Sequence, residues 1–182
     1  MFFRILLFGS VATHLFISSS AKAQREPIVP RTLQVGLLAR FDESTSKGLQ
    51  LGEAIPAEKY SWRPAPGVRS IGEVLIHIDL GNYYTTADAG AKSAIEVSDE
   101  AERTITRKTD VLAFLRASIS HMHTALNRLT PEQLEHSTTM FGQSTNYQNV
   151  YLFGISHVHE HLGQLIAYAR MNAIAPPWSH GR

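Results

Sequence analysis

Apolar residues recur every three or four positions in four long stretches of this chain, and between them the pattern breaks at proline, glycine or polar runs. From Arg31, the residues Leu33, Leu37, Leu38, Phe41 and Leu49 keep helical spacing, with Thr45 standing in the gap. They predict a first helix to about Ala54. Residues Ile55 to Gly67 hold Pro56, Pro64 and Pro66, which stop a helix and keep the preceding residues extended. Trp62 in this stretch reads as a plug over one end of the core. Ser70-Ile71-Gly72-Glu73 fits a capping box, the serine accepting an amide hydrogen bond and the glutamate reaching back. A second helix follows, with Ile71, Val74, Leu75 and Ile78 on one stripe and an end between Tyr84 and Gly90. Leu112, Leu115, Ile119, Met122, Leu126 and Leu129 step by three and four and predict a third. A short extra helix starts at Thr130-Pro131-Glu132-Gln133, with proline at its first position, and is interrupted over Ser137 to Ser144. The last long helix opens at Thr145 or Asn146 and runs to about Asn172, ahead of Ala175-Pro176-Pro177-Trp178. Ala91 to Lys108 is polar and mixed in charge and reads as a loop. No period-two segment of useful length and no internal repeat is present. The expected fold is all-α, a four-helix bundle in which Ile55–Gly67 and Ala91–Lys108 are long enough to act as crossovers.

The amino-terminal residues follow a different logic. Residues 1–23 carry Arg4, an apolar stretch broken by Gly9, Ser10 and His14, a serine run and Ala21-Lys22-Ala23. A basic start, a short apolar region and an Ala-x-Ala end are the order of a secretory signal peptide. The run falls short of the roughly 20 apolar residues that a membrane-spanning helix needs. The expectation is an exported chain, periplasmic or extracellular, with residues 24–30 as an extended leader and residues 31–182 as the bundle. Nothing later in the chain is apolar enough to span a bilayer.

The whole chain of 182 residues has a net charge of +1, and loss of Arg4 and Lys22 with residues 1–23 would make it −1. That balance excludes a broad electrostatic grip on nucleic acid. With no cysteine, thiolate metal sites, disulfides and cysteine nucleophiles are excluded together. The nine histidines remain for metal chemistry.

His157 and His161 lie four apart in the last helix and so stack on one face, in a row with Val150, Gly154, Gln164 and Tyr168. Such a pair can supply two ligands to one ion. It is also what two core-edge histidines hydrogen-bonded to backbone or tyrosine look like. A third ligand must come from another helix, and His77, at the margin of the second helix's stripe and in line with Gly81 and Tyr84, is the candidate. His121 and His123 flank the third-helix seam on either side, and His159 points away from the His157/His161 row. His136 falls in a turn and His180 in the tail. Gly154 and Gly81 read as missing bulk where an ion or ligand sits. Glu160, Asp79, Tyr84 and Gln164 are candidates for supporting hydrogen bonds or proton transfer.

Two segments resemble the DinB-like superfamily of metal-binding four-helix bundles. The first is Ala54-Ile55-Pro56-Ala57-Glu58-Lys59-Tyr60 with Arg63-Pro64-Ala65-Pro66-Gly67-Val68-Arg69-Ser70, which leads into the helix of His77. The second is His157-Val158-His159-Glu160-His161-Leu162-Gly163-Gln164, followed by Tyr168, Arg170 and Pro176-Pro177-Trp178-Ser179. The resemblance implies an ion held by one histidine of the second helix and an H-x-x-x-H pair of the last, which fall on His77, His157 and His161. It also implies a thiol transferase, a metal-dependent hydrolase or a binding protein without catalysis. Bundles of this kind often pair through exposed helix faces, so a homodimer is a candidate assembly. Three neutral imidazoles leave open positions on a divalent ion, as in catalytic rather than structural zinc sites, and nickel or iron(II) would accept the same donors. A small molecule or thiol is then the expected partner. An export signal sets the chain apart from cytosolic thiol transferases. The alternative is a non-catalytic metal-binding or structural bundle.

Overall fold

Helix α1 (Leu33–Ala54) begins where Thr32 accepts a hydrogen bond from the Val35 amide, and it buries Leu37, Phe41 and Leu51. The structure, a computed structural model, describes residues 32–179, so the proposed signal peptide, the leader and His180 lie outside the described residues. The proline-rich connection after α1 contains one short 3-10 turn at Ala57–Lys59 and is pinned by tyrosine. The Tyr60 hydroxyl donates to the Gly52 carbonyl at 2.7 Å, and the Tyr60 carbonyl accepts from the Gly72 amide at 2.9 Å. Trp62 packs edge-on against Tyr168 with ring centroids 5.4 Å apart, as expected of a plug.

Helix α2 (Ile71–Asp88) opens with the predicted capping box, Ser70 and Glu73 each satisfying the other's backbone amide. This fixes the register that carries His77, Gly81 and Thr85. The segment expected to be loop contains one helical turn, α3 (Ala101–Thr104). Helix α4 (Lys108–Arg128) follows, then the capped single turn α5 (Pro131–Leu134). The stretch expected only as an interruption is a hairpin, β1 (Ser137–Met140) paired antiparallel with β2 (Gln143–Asn146). Its strands are almost wholly polar, so no apolar alternation marked them. Asn146 then caps α6 (Tyr147–Met171), and a 3-10 turn at Pro177–Ser179 ends the described chain. Among the described residues no helix is long and apolar enough to cross a membrane.

Helix α1 packs against α4 and α6, and α2 packs against the same two. Consecutive long helices α1 and α2 therefore sit on a diagonal of the bundle, as do α4 and α6. The crossovers are thus the 55–70 connection, as expected, and the 129–146 connection carrying α5 and the hairpin. The other connection long enough for a crossover, Ala91–Lys108, instead joins the neighbours α2 and α4. The core between the four helices is sealed by Phe41, Leu51, Leu75, Leu115, Met122, Leu126 and Leu165, all at most 2% exposed.

On the α2–α6 seam the residue numbers run in opposite senses. Gly81 faces His157, and Thr85 faces Gly154. A Cβ on Gly154 would lie 2.5 Å from Thr85 Oγ1, and one on Gly81 would lie 2.5 Å from His157 Cε1. Both glycines had been expected to leave room for a ligand. The space at Gly154 is instead taken by the neighbouring helix and that at Gly81 by the His157 ring itself, which lets the two helices close on each other.

Candidate metal centre

The seam brings His77 of α2 together with His157 and His161 of α6. Ring centroids are 4.9 Å apart for His77–His157, 4.7 Å for His77–His161 and 4.5 Å for His157–His161. One ligand atom from each lies within 4.8 Å of the others, and all three residues are half-buried. His77 Nε2 and His157 Nε2 are 3.2 Å apart. Two nitrogens on a tetrahedral ion at zinc–nitrogen distances would be separated by roughly 3.3 Å, so this pair is already at ligand spacing.

Hydrogen bonds set which nitrogen of each ring faces inward. His77 Nδ1–H donates to Glu102 Oε1 at 2.7 Å, leaving its Nε2 lone pair toward His157. His161 Nδ1–H donates to Gln164 Oε1 at 2.8 Å, and the Gln164 amide donates to the Tyr168 hydroxyl at 2.8 Å. These are the partners that orient imidazoles and raise their basicity at metal sites. His157 is different: its Nδ1 is buried against Gly81 with no partner.

Electrostatics keep His77 and His157 neutral and receptive. Burial pushes His157 down to about 4, with the neighbouring His161 and His77 adding to the effect. Burial also lowers His77, against the pull of Glu102. Burial works to raise Glu102, but hydrogen bonds from Arg69 and His77 bring it below the usual carboxylate range. Arg69 binds it through two nitrogens, at 2.7 and 3.2 Å. Glu102 therefore stays ionised, a fixed negative charge behind His77.

Glu102 comes from α3, in the segment read as loop, and sequence analysis did not single it out. Its only mark is an acidic residue in a polar run, which many surface segments share. Of the supporting residues that were singled out, Gln164 is in contact with His161. Tyr84 lies at the mouth of the adjoining cavity, its hydroxyl donating to Asp99 at 2.8 Å. Asp79 is fully buried elsewhere, bonded to Ser118, and Glu160 is exposed. His121 bonds Thr86, and the exposed His159 bonds the Ile155 carbonyl.

Beside His77 and His157 opens a cavity of about 310 Å³ with mostly apolar walls, among them Leu80, Met140, Phe141 and Phe153. The hairpin supplies one side of it, tied to α2 by the Thr138 hydroxyl donating to the Asp88 carbonyl at 2.7 Å. At its two-residue turn Phe141 and Gly142 both have positive φ, 51° and 74°. That geometry is common for glycine or asparagine and uncommon for phenylalanine. Phe141 is nonetheless 77% exposed, at the cavity rim and edge-on to Phe153. Strain of this kind concentrates at functional sites.

Replacing Glu102 by Gln should lower affinity for a divalent ion about 10- to 100-fold, the range for losing a ligand's carboxylate partner. Zinc competition titrations against a chelator would read it, and unchanged affinity would show that Glu102 serves only Arg69. A second expectation concerns the metal-free protein. Because His157 is depressed in the fold, the unfolded chain takes up a proton there between about pH 6.5 and 4 that the folded chain refuses. Stability from this residue is complete above pH 6.5 and is lost as pH falls to about 4, on the order of 2 kcal/mol. The raised, buried Asp79 works in the opposite sense over part of this range. The contribution is therefore read as the difference between the urea midpoints of the parent and His157→Gln proteins across that range. Parallel curves would refute it.

The sequence matches the DinB superfamily over residues 40–165, a span that includes all three histidines. No curated protein matches it. Among solved structures it is similar to a DinB-like protein from Bacillus cereus ATCC 10987, with 21% identity and a TM-score of 0.70, over 78% of this chain and 94% of that one. It is similar also to YfiT from Bacillus subtilis, described as a probable metal-dependent hydrolase with an unusual four-helix bundle topology. There the identity is 15% and the TM-score 0.63, over 84% of this chain and 94% of that one. The mycothiol-dependent maleylpyruvate isomerase shares 12% identity and a TM-score of 0.59, over 72% of this chain and 60% of that one. At these identities the likeness establishes the fold.

Proposed function

Since this chain belongs to the DinB superfamily, we propose that it is a metal-dependent enzyme, a transferase or hydrolase, whose divalent ion is held by His77, His157 and His161. The observation that carries the reading is the meeting of three imidazoles, one ligand atom of each within 4.8 Å of the others, two of them on the wall of an apolar cavity. A structural site would need no such opening. Zinc is the first candidate, with nickel or iron(II) as alternatives. Such an ion lowers the pKa of a bound water or ionises a bound thiol. The description of YfiT as a probable hydrolase and the isomerase's dependence on mycothiol support these two uses.

The chain's own residues do the rest. Glu102 and Gln164 hold two rings in the tautomer that presents Nε2. Leu80, Met140, Phe141 and Phe153 exclude water and bind an apolar substrate body. Tyr84, pushed up to about 12 by burial and its bond to Asp99, keeps its proton and is a hydrogen-bond donor rather than a base. Asp88 and Asp99 line the cavity while no lysine or arginine does, so the only positive charge an anionic group would meet there is the ion itself.

Cobalt substitution tests the proposal. Addition of a small thiol or azide should shift the visible spectrum of the cobalt protein, because an open position on the ion takes the ligand. A spectrum indifferent to both would mark a closed coordination sphere and favour the non-catalytic metal-binding reading. Export is proposed alongside, supported by the basic and apolar order of residues 1–23. Mature protein from the native host should begin at or near Gln24, and a full-length chain recovered from its cytosol would refute this.

A further inference from the structure

A second cleft, of about 820 Å³, opens where the end of α2 and the segment after it meet the carboxy-terminal half of α4, α5 and the first two turns of α6. It shares no lining residue with the cavity beside the histidines. Much of its wall is alanine, and no aspartate or glutamate lines it. Lys92 and Arg128 are exposed at its edge. Among the described residues neither takes part in an ion pair, whereas most other arginines of the bundle do. Two cations are thus left facing a cleft that offers them no partner.

The floor carries a second, independent mark. Tyr151 lines the cleft and is completely buried, yet its hydroxyl has no hydrogen-bond partner. A buried hydroxyl without a partner is unfavourable, and phenylalanine would fill the same space without that cost. Burial also raises the Tyr151 phenol above its ordinary range, so it stays protonated and able to donate. His121, on the same wall, is already engaged. Its Nε2–H donates to Thr86 Oγ1 at 2.9 Å, because the Thr86 hydroxyl itself donates to the Tyr83 carbonyl at 2.8 Å. Tyr151 is thus a fully buried polar side chain on the floor that is left without a partner.

We propose that this cleft is a binding site for a small organic anion, its carboxylate or phosphate group held by Arg128, Lys92 and the Tyr151 hydroxyl and its apolar body lying on the alanine wall. Charge-assisted hydrogen bonds from arginine and lysine select the anion, and the size and apolar lining of the cleft select an organic molecule over a bare inorganic ion.

The test uses benzoate and inorganic phosphate as probes on the full chain, with and without zinc, followed by tyrosine and methyl shifts in NMR. Benzoate should bind saturably and more tightly than phosphate, with the same affinity whether zinc is present or absent. Arg128→Gln should weaken it about tenfold or more. Tyr151→Phe should weaken it several-fold while leaving the urea midpoint unchanged or raised, a combination that a purely structural hydroxyl would not give. Absence of saturable benzoate binding, or binding that survives both substitutions, would overturn the proposal. So would benzoate binding that requires zinc, since that would place the anion on the ion, and so would phosphate binding without benzoate binding.

Discussion

Replacing His157 by Ala should reduce bound divalent metal from about one ion per chain to almost none, while His159→Ala leaves it unchanged. The two residues are neighbours in sequence but not in space. His157 sits 3.2 Å from the His77 ring nitrogen, whereas His159 turns its Nδ1 back to the Ile155 carbonyl on the exposed side of α6. His77→Ala and His161→Ala should behave like His157→Ala. With one of three ligands gone, affinity should fall by more than the roughly 10- to 100-fold expected for loss of a supporting hydrogen bond. Metal analysis after purification, followed by zinc titration, measures both. Equal losses from His159→Ala and His161→Ala would put the ion on another face of the helix.

A single methyl group should do nearly as much damage. Gly81→Ala places a carbon 2.5 Å from His157 Cε1 and 2.6 Å from its Nδ1, closer than side-chain carbons come to any neighbour. The ring cannot simply slide along the seam, because the His161 and His77 rings lie 4.5 and 4.9 Å from its centroid. It must swing out toward the cavity, taking one ligand with it. Metal affinity should fall at least tenfold, and the metal-free fold should lose about 1–3 kcal/mol, the usual cost of overpacking. Calorimetric zinc binding and urea unfolding report the two effects separately. Full zinc affinity with unchanged stability would mean that the seam opens more easily than its packing suggests.

The sequence was informative wherever a feature depended on spacing within one helix. The stripe from Leu112 to Leu129, the Ser70–Glu73 capping box and the four-residue step from His157 to His161 are all local, and each stands in the structure as read. What the residues did not reveal depends on how separate segments meet. Glu102 acts only because α3 folds back onto α2, and nothing in its own neighbourhood marks it. The hairpin is built from Ser137-Thr138-Thr139-Met140 and Gln143-Ser144-Thr145-Asn146, too polar to alternate, with phenylalanine at a turn position where glycine is the usual cue. Gly81 and Gly154 were recognised as places of missing bulk, but only the packing of α2 against α6 shows what fills them. Length, the only guide, allowed one or more crossovers at 55–67 and 91–108, and the hairpin connection that makes the second is of similar length to the latter.

The diagonal placement of consecutive helices also bears on the order of assembly. Helices α2 and α4 are the one consecutive pair of long helices that pack as neighbours, so the cheapest early contact closes the loop between them. His77 and His157 are 80 residues apart, and their meeting must await the docking of α6 across the 129–146 crossover. Contacts so distant along the chain form late in folding. An ion gripped there would act as a latch on the finished bundle, leaving the refolding rate almost untouched and slowing the rate at which the bundle comes apart.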